Sequence, residues 1–317
     1  MSKRVLIMGL SWMVVLATVS SSAFALGKGV QRTIAPIVTP VWLSENSALG
    51  DLVILDVRPE EYYNLGHIPG SINEPFVVPL SAWITIRNEL WLEVPDPEDL
   101  FETIGNLGID THSKVVVVTS PVENEPPHYG LSAATRVADT LIYAGMVDVA
   151  VLDGGYPGWV AEGLPVDDVI PTITPVLFDG AVDEDMFVSM DYMLNHLFYA
   201  DVIDARDADV YFGANIEPFA AKPGHIWGAA SLPTPWIWDL DEDGVYYYKD
   251  TELLDQMASI VTHWGLREVI VYCGVGGYSS SWWYVLTQVL GYSNVKFYDG
   301  SAQEWALTYD MVPFRWQ

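Results

Sequence analysis

Short apolar runs, rich in β-branched residues, recur at matching places in the two halves of the chain. Residues 52–57 and 114–118 form such runs in the first half, and residues 201–205 and 268–272 form them in the second. Each run has the length and the unbroken hydrophobicity that are typical of a strand buried on both faces. The pattern therefore predicts parallel strands at the centre of two sheets.

Between these runs, apolar residues recur at helical spacing. Residues 131–144 and 279–290 show this spacing, and Gly145 and Gly291 follow them as helix stops. Strands that alternate with helices predict an α/β fold, with helices on both faces of a central parallel sheet in each half.

The second half repeats the motifs of the first half in the same order, which indicates an internal duplication. Each half contains an Asp-x-Arg triplet, then a Gly-His-Ile motif, then an Asp-Gly pair with a tryptophan six residues after the aspartate. In the first half these are Asp56 with Arg58, residues 66–68, and Asp153 with Trp159; in the second they are Asp204 with Arg206, residues 224–226, and Asp299 with Trp305. The repeat predicts two domains, each with its own core, at residues 26–168 and 183–317, joined by a proline-containing linker at 169–182.

This order of motifs resembles the rhodanese family of thiosulfate and 3-mercaptopyruvate sulfurtransferases, and the resemblance covers nearly all of the chain after residue 25. It implies two tandem α/β domains, each with a central parallel sheet. It also implies an active-site loop between a strand and a helix, near the interface of the two domains.

The only cysteine, Cys273, follows the run 268–272 at the end where parallel sheets place their ligands. Three glycines follow it closely and allow backbone N–H groups to turn inward, and Ser279 or Ser280 is expected to cap the next helix. Both features favour a thiolate or a persulfide anion, so Cys273 is the predicted catalytic residue. The predicted substrate-binding loop is Gly274, Val275, Gly276, Gly277, Tyr278 and Ser279. An inert buried cysteine in a glycine-rich turn is the alternative.

The loop resembles the C-G-x-G-W-R-x-S loop of periplasmic rhodaneses with several domains, but Gly277 replaces the tryptophan and Tyr278 replaces the arginine. These departures point to a weaker activity or to a less charged sulfur donor. In the first domain Ser120 stands near the cysteine position, among prolines and carboxylates that replace the glycines. We therefore expect the first domain to be non-catalytic and to form one wall of the site.

Arg206 matches the substrate-side arginine of the family, which implies that it binds the anionic end of a donor. The alternative is an ion pair with Asp204 or Asp207. His67 and His225 are expected to order the turns after the two Gly-His-Ile motifs rather than to take part in chemistry.

An acidic segment in the second half has the spacing of an EF-hand calcium loop. Asp239, Asp241, Asp243 and Gly244 are followed by Asp250 at the twelfth position, although the usual closing residue is glutamate. This spacing predicts a calcium site, and a solvated acidic turn is the alternative. No other cofactor is expected to be required.

Composition and the amino terminus limit the partners and the location. The chain has 14 basic and 42 acidic residues, a formal net charge of -28, which excludes nucleic acid and permits a basic protein partner. Residues 1–25 predict a cleaved signal peptide, because Lys3 and Arg4 precede an apolar run that is too short to span a bilayer and ends in an Ala-Phe-Ala pattern. An uncleaved anchor is the alternative. We expect a periplasmic or secreted protein with no membrane span in the mature chain.

Two functions remain. In the first, a sulfurtransferase takes sulfur from thiosulfate, polysulfide or a persulfide onto Cys273 and passes it to a thiol, cyanide or a protein acceptor. In the second, a catalytically degenerate module serves as a binding or sulfur-carrier protein for an extracytoplasmic respiratory or sulfur-metabolism partner.

Overall fold

The computed structural model describes residues 32–315, so the predicted signal peptide lies outside the described residues. In the first half the strands are β1 (Ile37–Val38), β2 (Leu52–Asp56), β3 (Ile72–Asn73), β4 (Thr85–Arg87), β5 (Leu90–Glu93), β6 (Lys114–Val118) and β7 (Val149–Leu152). The helices are α1 (Pro40–Asn46), α2 (Glu60–Leu65), α3 (Pro97–Asn106), α4 (Pro127–Tyr143) and α5 (Gly155–Ala161). Five strands form a parallel sheet in the order β1-β7-β6-β2-β3, and β4 pairs with β5 in an antiparallel hairpin.

The second half repeats this architecture. Its strands are β8 (Phe187–Val188), β9 (Asp201–Asp204), β10 (Ala230–Ser231), β11 (Trp238–Leu240), β12 (Tyr246–Tyr248), β13 (Val269–Tyr272) and β14 (Val295–Tyr298). Its helices are α6 (Met190–His196), α7 (Ala208–Tyr211), α8 (Thr251–Thr262), α9 (Gly277–Tyr284) and α10 (Ser301–Thr308). The parallel sheet has the order β8-β14-β13-β9-β10, which matches the first sheet strand for strand, so the predicted duplication is confirmed.

The two predicted helices are present with shifted bounds. Helix α4 begins at Pro127, where the fixed φ of proline and its missing N–H suit the first helical turn. Helix α9 ends at Tyr284 and continues as a π-helical turn over Val285–Val289. Gly145 and Gly291 adopt φ of 99° and 74° after these helices, the left-handed conformation expected of glycine stops.

One hydrophobic cluster runs through both domains, whereas the sequence had predicted a separate core for each. Alternate residues of a strand face opposite sides of its sheet, and they divide accordingly between clusters. The shared cluster contains Leu55, Val115 and Val117 from the first sheet and Ile203, Val269 and Val271 from the second. The opposite faces have their own clusters, around Ile54 and Val116 in the first domain and around Val202 and Ile270 in the second. One face of each sheet therefore belongs to a core that is continuous between the two domains.

Helices α4 and α9 pack against each other at the centre of this shared core. Their contact includes buried hydroxyl groups that satisfy one another across the boundary. Thr135 Oγ1 lies 2.9 Å from the Oγ atoms of both Ser280 and Ser281, and Ser281 donates to Ser132 over 3.0 Å. The hydrogen bonds fix the start of α9, and hence the cysteine loop, to the first domain.

The predicted linker lies against the first domain. The N–H of Val176 donates to the carbonyl of Gly105 over 2.9 Å, and the side chain of Phe178 is buried. Within residues 32–315, no helix combines the length and the hydrophobicity that crossing a membrane requires.

Candidate active site

Cys273 lies directly after the central strand β13, and its side chain is only 2% exposed. The N–H of Gly276 donates to Sγ over 3.1 Å, and the hydroxyl of Ser279 lies 3.4 Å from Sγ. The backbone N–H of Cys273 points the other way, to Ser301 Oγ. The thiol is therefore buried beside two hydrogen-bond donors that suit a thiolate or a persulfide anion.

The glycine loop forms only part of the predicted anion nest. Gly276 has φ of 94° and is the cap residue of α9, so the helix begins at Gly277. Within the described residues, the backbone hydrogen bond to Sγ comes from Gly276. The prediction that Ser279 or Ser280 caps the helix was wrong, because both lie inside its first turn. Ser280 donates instead to the carbonyl of Gly277.

A cavity of about 480 Å³ opens onto Cys273 between the two domains. Its walls are largely apolar and aromatic. The first domain contributes Val57, Arg58, Pro59, Phe76, Val77, Val78, Trp91, Leu92, Thr119, Ser120, Val122, Glu125, Tyr129, Gly130, Ser132 and Ala133, and the second contributes Glu217, Phe219, Cys273, Gly274, Val275, Gly277 and Tyr278. The first domain therefore forms one wall of the site, as the sequence predicted. The charged side chains of the wall are the carboxylates of Glu125 and Glu217 and the guanidinium of Arg58.

The structure does not place Arg206 on this wall, although the sequence had assigned it to donor binding. Its side chain is 2% exposed, and it donates to both carboxylate oxygens of Asp204 and to the carbonyl of Gly224 over 2.7 Å. A longer contact of 3.5 Å reaches Glu217. The alternative of an ion pair with Asp204 therefore fits the geometry, because the donor groups of Arg206 contact Asp204, Gly224 and Glu217, and Arg206 is not among the residues that line the cavity.

The equivalent arginine of the first domain, Arg58, does line the cavity. It holds Asp56 and the carbonyl of Gly66 in the same way that Arg206 holds its partners, and it lies 3.7 Å from the centre of the Tyr156 ring. The sequence contained this residue in the repeated motif but did not single it out. The charge of Arg58 is neutralised by Asp56, so it is a weak attractant for an anion.

Glu217 is a second residue that the sequence analysis missed. It lies in the loop after α7, and a Cβ placed on Gly274 would lie 2.6 Å from its Oε1 atom. Burial raises the pKa of Glu217 to about 7, with Asp204 and Asp207 adding to the rise and Arg206 opposing it. The carboxyl group thus contacts the loop residue that follows the nucleophile.

A buried ion pair joins the domains behind the loop. Arg136 of α4 donates to Asp299 Oδ1 over 2.7 Å, and Asp299 Oδ2 accepts the N–H of Val94. A Cβ on Gly276 would lie 3.1 Å from Asp299 Oδ1 and 3.4 Å from Arg136 Nη1. Nearby, burial and the charge of Asp299 raise the pKa of Glu93 to about 8. The first domain therefore supports the cysteine loop through Arg136.

Tyr278, the loop residue that replaces an arginine, lies on the cavity wall. Its ring is 5.2 Å from that of Tyr129 in the first domain, and its backbone carbonyl accepts the hydroxyl of Thr234. The pair adds aromatic surface where a charged side chain would otherwise meet an anionic donor.

Three of the four aspartates of the predicted calcium loop have separate side-chain contacts. Asp239 pairs with Lys249, Asp241 accepts the backbone N–H groups of Asp243 and Val245, and Asp250 caps helix α8 by accepting the N–H of Leu253. The segment is a β-hairpin, not a loop between helices. Among residues 32–315, no cluster of three or more His, Cys, Asp or Glu side chains is placed to hold a metal ion. Calcium binding stays a prediction, which calorimetry at millimolar calcium would test.

His67 and His225 order the turns, as expected. His67 stacks on Tyr63 and His225 on Tyr211, each with ring centres 3.8 Å apart. Their Nδ1 atoms lie 3.0 and 2.9 Å from the carbonyl oxygens of the same tyrosines. Both histidines are therefore held by the fold rather than directed at the cavity.

Comparison with known proteins agrees with this geometry. A protein of Mycobacterium tuberculosis named "Putative thiosulfate sulfurtransferase" is 34% identical over 285 residues, covering 85% of this chain and 94% of that protein. The "Sulfur carrier protein TtuD" of Thermus thermophilus is 26% identical over 282 residues, covering 85% and 93%.

Among solved structures, the anaerobic ergothioneine biosynthesis enzyme of Chlorobium limicola, in complex with trimethyl histidine, has the same fold. It superposes with a TM-score of 0.72 at 22% identity and covers 87% of this chain and 70% of that one. The model of the rhodanese-like domain matches residues 39–162 and again residues 189–308. Because the two matches cover most of the chain, the protein belongs to the rhodanese-like family, as a tandem of two rhodanese-like domains.

Proposed function

We propose that this sulfurtransferase carries sulfane sulfur on Cys273 as a persulfide. The thiolate of Cys273 attacks the outer sulfur of a donor, the donor's leaving group departs, and the persulfide is then attacked by an acceptor thiol or by cyanide. The observation that carries the proposal is the position of Cys273, at the end of β13, beside the Gly276 N–H and the Ser279 hydroxyl and at the base of the cavity. Those donors serve the thiolate and the persulfide alike.

The cavity wall favours an organic persulfide, which carries at most one negative charge, over thiosulfate as the donor. Thiosulfate is a dianion, and it would meet the carboxylates of Glu125 and Glu217 together with a guanidinium that Asp56 already neutralises. Tyr278 offers one hydroxyl and a ring where an arginine would offer a planar set of charged donors. An organic donor would bury its apolar part against the aromatic side chains.

A sulfur-carrier role is the second candidate. One relative is named a sulfur carrier, and the net charge of -28 would suit a basic protein partner. In that role Cys273 would hold the same persulfide but would deliver it to a docked protein. An extracytoplasmic location is also part of the proposal, and its support is the sequence of residues 1–25.

Mass spectrometry of the intact protein tests the proposal. After exposure to an organic persulfide and removal of excess donor, we expect a mass gain of one sulfur that a reducing agent or cyanide reverses. Cys273→Ser should show no gain, whereas Ser120→Ala, a change on the same cavity wall, should load as the wild type does. Transfer by Cys273→Ser at more than about one-tenth of the wild-type rate would overturn the assignment, since that loss is under 1.4 kcal/mol of barrier.

A further inference from the structure

We propose that Glu217 is the catalytic acid and base that moves a proton between the leaving thiol and the attacking thiol during sulfur transfer. The inference rests on the proposed function, since it assigns a second residue to the same site. Cys273 supplies the nucleophile, and a separate group must handle the protons of the two organic thiols.

The position of Glu217 in the cavity is the first support. Its side chain is 17% exposed, and it lines the same cavity as Cys273. A Cβ placed on Gly274, the residue after Cys273, would lie 2.6 Å from Glu217 Oε1 and 2.7 Å from Oε2. The carboxyl group therefore lies in the cavity that a substrate thiol enters, beside the residue that follows Cys273.

The long contact between Glu217 and Arg206 is the second support, because an ion pair with a purely structural role would have a shorter distance between its charged groups. Arg206 is committed to Asp204 by contacts of 2.6 and 2.9 Å, whereas its contact with Glu217 Oε2 is 3.5 Å. A contact of that length is a weak hydrogen bond at most. The carboxyl group is therefore available to a substrate.

The electrostatic surroundings suit a group that both gives and takes a proton. Around Glu217 lie Arg206, which favours the carboxylate, and Asp204 and Asp207, which oppose it; the rings of Tyr129 and Tyr278 lie on the same wall. Burial is the largest effect and raises the pKa to about 7. Near neutral pH the acid and the carboxylate are then both populated, as a shuttle requires.

The proton balance closes over one turnover. The Cys273 thiolate attacks the outer sulfur of R–S–SH; the S–S bond breaks with its electron pair on RS⁻, and the outer sulfur stays on Cys273 as a persulfide. RS⁻ takes the proton of Glu217 and leaves as RSH. The acceptor R′SH then gives its proton to the Glu217 carboxylate, and R′S⁻ attacks the outer sulfur of the Cys273 persulfide. The products are R′–S–SH and the Cys273 thiolate, with Glu217 protonated again.

The test compares two donors in single-turnover loading of Cys273, followed by intact mass. An alkyl persulfide releases a basic thiolate that needs a proton, whereas thiosulfate releases sulfite, which departs without one. Glu217→Gln should slow loading from the alkyl persulfide by about 100-fold, the lower end of the usual range for acid–base catalysis. It should not slow loading from thiosulfate, because that dianion then meets one carboxylate fewer on the cavity wall. Glu123→Gln, which changes an exposed carboxylate outside the cavity lining, should leave both rates unchanged.

The pH profile gives an independent reading. With the alkyl persulfide, the wild-type loading rate should lose its acid-dependent component as pH rises through about 7, and Glu217→Gln should lack that component. Gly274→Ala should reproduce the donor-selective loss, because its Cβ displaces the carboxyl group while Glu217 remains in the chain.

The outcomes separate this proposal from the proposed function. If the wild type gains no sulfur from either donor, the sulfurtransferase site itself is refuted. If the wild type loads and Glu217→Gln loads from the alkyl persulfide as fast as the wild type does, the proton role is refuted. An equal slowing with both donors would also refute it, because that result would make Glu217 a structural support of the loop.

Discussion

Replacement of Gly276 by alanine probes the support of the cysteine loop more directly than any other single change. Gly276 combines three features: φ of 94°, an N–H that donates to Cys273 Sγ, and a Cα that faces the ion pair of Asp299 and Arg136. Adding one methyl group strains the backbone and crowds the pair. We therefore expect both stability and sulfur loading to fall.

The magnitude follows from opposing contributions. A non-glycine residue in the left-handed region costs on the order of 1–2 kcal/mol, and the new Cβ would lie 3.1 Å from Asp299 Oδ1, closer than an ordinary contact. Alanine also restricts the unfolded chain, which returns about 0.4–1 kcal/mol. The expected net loss in the free energy of unfolding is about 1–2 kcal/mol, read from urea denaturation.

Gly277→Ala is the matched control, one residue along the same loop. Gly277 has no positive φ, it is the first residue of α9, and a Cβ there would lie 3.6 Å from Leu92 Cδ2, which is ordinary contact. This variant should be as stable as the wild type or slightly more stable, and it should load sulfur at a similar rate. Gly276→Ala should load about tenfold more slowly if the strained N–H loses a hydrogen bond to sulfur worth roughly 1.5 kcal/mol. Equal stability of the two alanine variants would refute the reasoning.

Three further predictions follow from the site. Arg206→Ala should lower the free energy of unfolding by about 3–5 kcal/mol, because it leaves Asp204 buried without a partner, and the donor KM of the folded fraction should stay unchanged; a raised KM with full stability would restore Arg206 as a donor-binding residue. Tyr278→Arg should raise thiosulfate turnover by about tenfold if one charged hydrogen bond worth roughly 1.5 kcal/mol forms in the transition state, and unchanged thiosulfate kinetics would contradict this. The raised pKa of Glu93, about 8, means that the folded state keeps a proton that the unfolded chain releases near its ordinary pKa of 4.5. The contribution of Glu93 to stability should therefore be fully present below about pH 4.5 and be lost as pH rises towards 8, by up to about 1.4 kcal/mol per pH unit, and Glu93→Gln should remove that part of the pH dependence in urea denaturation curves.

The sequence predicted the central strands well, because a parallel strand that is buried on both faces has an unbroken run of apolar residues. The run at 268–272 gave both the strand β13 and the position of Cys273 at its end. Local rules also gave the glycine stops, since a left-handed residue after a helix is a property of a few neighbouring residues. These successes share one feature: the information lies within about ten residues of the element.

The residues that the sequence missed or left open have the opposite character, because their roles depend on distant parts of the chain. Arg58 and Arg206 occupy the same motif in the two halves, and only the packing of the domains decides which of them lines the cavity. Glu217 and Arg136 read as ordinary polar positions, because their contacts with Gly274 and Asp299 join distant parts of the chain. The aspartate spacing of a calcium loop also fits a hairpin followed by a capped helix.

The first domain supports the cysteine loop of the second domain and lines part of its cavity. Helices α4 and α9 are equivalent elements of the two repeats, and they pack against each other as well as against the sheets of their own domains. Through α4 the first domain places Arg136 beside Asp299, behind the cysteine loop. Strand β5 and the segment before α4, residues 119–125, line the cavity that opens onto Cys273. The candidate active site is therefore a property of the interface between the repeats. A change that weakens the Arg136–Asp299 contact should shift the N–H group that donates to Cys273 Sγ, because both residues lie against Gly276, which supplies that N–H.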